Sequence, residues 1–230
     1  MDLDPDHSSA RADQETLRRV LLNALEQAGL PGPPPELPLP LHPAAAQAAR
    51  ERTLTRELAQ HLNTAARPAD GPVEWPVELS DSWQPADRAT FASAVRLLAA
   101  VWPQMLDELR ATVSQVTLLG APPTDATALG VAVIDRQCLA ATPAGLPASV
   151  RLAEALVHEG TRCRGAAEVA ARGTTTAEPS DRPVALARCV LLYERLLSAG
   201  PAAEPAMEER YGRLRAELGA MAGGGEGVRA

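Results

Sequence analysis

Residues 155–165 read ALVHEGTRCRG. His158 and Glu159 open the pattern His-Glu-x-x-His, and Arg162 stands where the second histidine belongs. On an α-helix, residues four apart share a face. Two histidines at that spacing can hold one metal ion, with the glutamate between them acting on a bound water. Arginine is a permanent cation without a lone pair to give, so Arg162 cannot be a ligand and repels a metal. The plainer reading of the same letters is a solvated helix face, with Glu154 and His158 as an i,i+4 pair and Glu159 and Arg162 as an i,i+3 pair. Both readings need a helix. Leu152, Leu156 and Val157 give it an apolar stripe, which predicts a helix from Pro147 to about Arg172.

Two short apolar runs precede this helix, QVTLLG (115–120) and LGVAVID (129–135). They read as neighbouring strands joined by the loop APPTDATA. Asp87 can cap an earlier helix, RATFASAVRLLAAVW, and Pro103 breaks it and opens a second one, PQMLDELRATV. Downstream, PVALARCVLLYERLLSAG is a helix buried on one side, and EPAMEERYGRLRAELGAM is a charged surface helix. The expected fold is therefore mainly α, a helical domain with a small β element (115–120, 129–135) just before the motif helix. Nearer the start, residues 1–13 read as a disordered tail, and helices are expected over 14–29 and 44–67. Between them LPGPPPELPLPLHP, with seven prolines, reads as an extended connector. The organisation is then a tail (1–13), an N-terminal helical region with Pro-rich connectors (14–85), a helical core (86–220) and a flexible tail (221–230).

Composition narrows the function classes. The chain has 230 residues, 46% hydrophobic and only 3% aromatic, so its core is built from Leu, Val and Ala. Its net charge is −7 and all 22 basic residues are arginine. An acidic chain without a basic run is a poor partner for nucleic acid. No apolar run approaches the roughly 20 residues that cross a bilayer, so no membrane partner is expected. Cys138, Cys163 and Cys189 are an odd set without paired spacing, which suits reduced, buried thiols in a cytoplasmic protein. Trp75, Trp83 and Trp102 fit core staples better than a peptide groove, and His61 fits a surface position. No phosphate loop and no nucleophile elbow occurs.

The order of strand LGVAVID, helix RLAEALVHE and helix DRPVALARCVLLYERL resembles a bacterial family of HExxH-motif peptide-modification proteins from ribosomal peptide natural product pathways. In that family a similar strand precedes LAEALVHExxH, and an RP-initiated helix follows and carries a third histidine. The resemblance spans about residues 91–197. It implies a scaffold of iron- and 2-oxoglutarate-dependent peptide hydroxylases. His158 falls on the first ligand and Glu159 on the motif glutamate, while Arg182 and Pro183 match the RP pair. The second and third ligand positions fall on Arg162 and Arg188. With two ligands replaced by arginine, no metal or cofactor is expected.

If the scaffold is kept, Arg162 and Arg188 point into one vacated volume. Two bare guanidiniums there need anions between them, from Glu159 and Glu154 or from a ligand. The implied function is a binding or accessory protein for a precursor peptide or a biosynthetic enzyme, with self-association left open. The alternative is a metal-independent peptide-modifying enzyme, with Glu159 or His158 as base and Arg162 and Arg188 as anion stabilisers. Arg182 joins Arg162 and Arg188 as a third candidate for binding an anion.

Overall fold

Two prolines punctuate the first long helical region. α1 (Pro85–Val101) and α2 (Pro103–Thr112) each begin with proline in the first turn, where the missing N–H has no partner to lose. The chain turns between them at Trp102, whose N–H still donates to the Leu98 carbonyl at 2.8 Å. The Trp102 ring is buried, and the Arg195 guanidinium lies 4.9 Å above its centroid. A computed structural model of the chain describes residues 3–6, 8–12, 15–16, 19, 67–68, 78–79, 83–113, 115–119, 131–171, 181–199 and 205–223.

The fold is mainly α. After α2 come α3 (Ala148–Ala171), α4 (Asp181–Ala199) and α5 (Pro205–Gly223). α3 is the centre of the packing, in contact with α1, α2, α4 and the sheet, and α5 lies on α4. α1 turns Phe91, Ala94, Val95 and Leu98 inward, the i, i+3, i+4, i+7 stripe of a helix buried on one side. Full burial of a side chain such as Phe91 contributes about 1.5–3 kcal/mol. Trp83 joins this core. Its ring meets Phe91 edge-on at 5.6 Å, and its indole N–H donates to the Val116 carbonyl at 3.1 Å. Among the described residues no helix is long and apolar enough to cross a membrane.

Four strands form the sheet in the order β1 (Arg67–Pro68), β2 (Glu78–Leu79), β3 (Gln115–Leu119), β4 (Val131–Asp135). β1 and β2 are antiparallel, and the other pairs are parallel. The two strands expected from the sequence are thus neighbours, in register from Gln115↔Val131 to Leu119↔Asp135. Parallel pairing requires the chain to travel back about one strand length, roughly 16 Å, between them. The eleven intervening residues, 120–130, have ample reach at about 3.3–3.6 Å each.

Several expectations are corrected. Asp87 does not cap α1: Gln84 holds that position, and the Asp87 carboxylate accepts the Gln84 N–H at 3.0 Å from within the first turn. The expected disordered tail differs too, because residues 8–12 are helical and Ala10 is only 1% exposed. α5 runs two residues past its expected end, to Gly223. Of the helix expected over 14–29, only residues 15, 16 and 19 are described, and they are helical. The helix over 44–67, the proline run, His61 and Trp75 lie outside the described residues, except that Arg67 belongs to β1.

The loop into α3 is fixed by its own hydrogen bonds. Thr142 accepts the Leu146 N–H on its hydroxyl at 3.0 Å, and its carbonyl accepts the Gly145 N–H at 2.9 Å. Gly145 has φ +91°, a conformation that side chains with a Cβ rarely adopt. Arg151, one turn into α3, donates to the Gln137 and Ala140 carbonyls and ties the helix to the end of β4.

Candidate functional site

Leu152, Leu156 and Val157 are fully buried and set the rotation of α3. His158 and Glu159 follow them by about 100° per residue and so emerge on the flank of the core face. There they line a cavity of about 480 Å³. β4 supplies a wall through Val133, Ile134 and Asp135, and Glu154 and Arg210 close another side. The His158 Nδ1 lies 3.1 Å from Glu159 Oε1, and Arg162 Nη1 donates to the two Glu159 oxygens at 3.1 and 3.3 Å. One carboxylate therefore holds an imidazole on one side and a guanidinium on the other.

The pairing of Glu159 with Arg162 is the one the helix spacing predicts. The predicted pairing of Glu154 with His158 is replaced. Glu154 accepts from Arg210 of α5 through Nε and Nη2, and from the Tyr193 hydroxyl of α4 at 2.8 Å. Burial, with the negative Glu154 beside it, pushes the Tyr193 hydroxyl up, so it stays a donor. The Glu154 hydrogen bond holds the Arg210 guanidinium more firmly protonated, against the effect of its burial.

Arg188 is not in this cavity wall. It is 3% exposed, and its Nη1 donates to Glu108 Oε1 at 2.5 Å and to the Thr161 hydroxyl at 3.4 Å. Glu108, fully buried on α2, also accepts from Arg164. The expectation that Arg162 and Arg188 share one volume is thus corrected, for a geometric reason. Thr161 and Arg164 face Arg188, whereas Arg162 lies about 100° round α3 from Thr161, on the flank shared with His158 and Glu159. Arg182 is elsewhere again: it is exposed at the start of α4 and donates to Glu217 at 3.0 Å. The three arginines proposed as one anion site each bind a different glutamate.

Iron needs several neutral or anionic donors converging on one point. Here a single imidazole is available, and the other two ligand positions carry paired cations. Among the described residues no group of three or more His, Cys, Asp or Glu is placed to hold a metal ion. The described residues do not fit that group. The thiols of Cys163 and Cys189 offer no substitute. Cys163 Sγ donates to the Val131 carbonyl at 3.3 Å and Cys189 Sγ to the Glu154 carbonyl at 3.7 Å. Burial pushes Cys163 up to about 12 and Cys189 higher still, so both stay protonated.

Sequence reasoning missed Glu108 and Arg164. A signal was present for the first. Met105, Leu109 and Thr112 mark the buried stripe of α2, and Glu108 lies within it. A carboxylate on an apolar stripe must be met by cations or it would not stay charged. Which cations meet it depends on how α2, α3 and α4 pack, and no local pattern carries that.

Comparison with protein-family models, with curated proteins and with solved structures finds no match to this chain.

Proposed function

We propose that this protein binds an extended peptide without using a metal, as a relative of the peptide-modification proteins its sequence resembles. The peptide is a ribosomal precursor or a segment of a biosynthetic enzyme. The observation that supports this reading is the relation of β4 to the cavity. Among the described residues β4 is the outermost strand of the sheet, and its stretch Val133–Asp135 walls the cavity that His158 and Glu159 line. An outer strand offers backbone donors and acceptors to an added strand, and an adjoining cavity selects among side chains. The salt bridges of Arg162 and Arg188 are the reason to read the site as metal-free.

A display library of random peptides tests this. Selected peptides are expected to slow hydrogen exchange of the 131–135 amides and to bind His158→Ala about tenfold more weakly. Selected peptides that leave β4 unprotected would overturn the reading. So would protein from iron-supplemented cells carrying one ion per chain that His158→Ala removes.

A second reading has its own observation. An imidazole 3.1 Å from a carboxylate inside a cavity is the arrangement of an oriented general base. In this form the peptide is modified rather than only held, with Arg162 beside the base through its bond to Glu159 as the anion stabiliser, since Arg188 is committed to Glu108 in the interior. Turnover would then survive chelator and be abolished in Glu159→Gln.

A further inference from the structure

Residues 3–6 and 8–12 lie across the buried charge cluster, on the side of α3 away from the cavity. Glu108 stands there between Arg188 and Arg164. The segment adds one hydrogen bond to each of the three. The Asp6 N–H donates to Glu108 Oε2 at 2.8 Å, the Asp4 carbonyl accepts from Arg188 Nη2 at 3.5 Å, and the Ser9 hydroxyl accepts from Arg164 Nη2 at 3.0 Å. The Asp6 carboxylate accepts the Ser8 and Ser9 N–H groups at 3.0 and 3.2 Å, which opens a short helical turn. The Ser9 hydrogen bond holds that carboxyl below its usual range.

Three features mark the segment as an occupant rather than a piece of core. Its hydrogen bonds to the cluster described above are made by two backbone groups and one hydroxyl, and its fully buried apolar residue is Ala10, whose methyl contributes about 1 kcal/mol. Its charge complements the site: two guanidiniums face one carboxylate in the cluster, and the described residues of the segment bring Asp4 and Asp6 against Arg11. The site also keeps a spare donor, because the buried Nε of Arg188 has no hydrogen-bond partner among the described residues.

We propose that Arg164, Glu108 and Arg188 form a docking site for acidic peptide segments, and that residues 3–10 are its tethered internal occupant. A partner's acidic segment gains the site by displacing them. The backbone N–H on Glu108 and the backbone carbonyl on Arg188 are contacts any peptide can supply, and the arginine excess selects the acidic ones. This site is separate from the cavity and does not depend on what the cavity binds. A tethered occupant acts at an effective concentration of up to about millimolar, so an external copy of the same segment competes poorly until the tether's advantage is removed.

The test uses a fluorescent synthetic peptide of residues 1–12 and two full-length proteins, wild type and Ala10→Glu. The substitution places a carboxylate where a methyl is buried and dislodges the segment. Amides 8–12 are expected to lose exchange protection in Ala10→Glu, and this variant is expected to bind the peptide about tenfold or more tightly than wild type. A peptide with asparagine for its three aspartates is expected to bind about tenfold more weakly than the native one. Asp6→Pro removes the N–H that Glu108 accepts and is expected to give the same results, so a misfolded Ala10→Glu leaves the test standing. Unprotected 8–12 amides in wild type would overturn the proposal. It is equally overturned by a variant whose segment has left but whose affinity is unchanged, or by an asparagine peptide that binds equally well.

Discussion

Glu108 and Glu159 each hold arginine, yet the two carboxylates differ in what depends on them. Glu108 is fully buried between two guanidiniums, so replacing it strands two charges in the core. Breaking such a buried pair costs about 3–5 kcal/mol, and we expect Glu108→Gln to lower stability by that amount in urea unfolding. Arg162 is one-third exposed and its bond to Glu159 is an i,i+3 contact. Pairs of that kind contribute about 0–1 kcal/mol, so Arg162→Ala should unfold almost with wild type in the same assay. The sequence put both arginines on one footing because it aligned them to one motif. Burial separates them, and burial follows from which helix faces meet. At Glu159 the spacing alone gave the right partner, since both residues lie on one helix. For Arg188 it could not, because Glu108 is 80 positions away in the chain.

The elements themselves were largely legible. The breaks at Pro103 and around residue 147 and the stripes of α1 and α3 are local chemistry, and the helices stand close to where that chemistry puts them. Strand direction was not legible. Two short apolar runs joined by a loop look alike whether they pair parallel or antiparallel, and here they are parallel. Helix contact distance was not legible either, although Gly160 encodes it. A Cβ added at Gly160 would lie 2.1 Å from Leu109 Cδ2, so α2 and α3 meet at a point with no room for a methyl group. Alanine improves helix propensity by about 1 kcal/mol, but overpacking a buried contact costs about 1–3 kcal/mol. Leu109 is fully buried and has little space to turn away. We expect Gly160→Ala to be destabilised by about 1–2 kcal/mol, with a matching fall in thermal midpoint.

At the scale of the molecule, two buried thiols begin the loss of stability in alkali, and the buried Tyr193 hydroxyl joins them at higher pH. Their ordinary value is 9.0, and in the fold Cys163 is pushed up to about 12 and Cys189 further. A group raised on folding contributes stability that is whole below its unfolded value and lost as pH climbs toward its folded one. Stability should therefore hold to about pH 9 and then fall by about 1.4 kcal/mol per pH unit for each thiol. Urea midpoints measured across that range check this, and joint Cys163→Ala and Cys189→Ala substitution should flatten the slope between about pH 9 and 10, above which the raised Tyr193 hydroxyl still contributes a fall. The two sides of α3 also differ in how freely they can change. Histidine could be placed at position 162 for the loss of one weak surface bond, whereas at position 188 it would abandon Glu108 in the interior. Position 162 is thus open to a new side chain, whereas position 188 is closed to one by the stability of the fold.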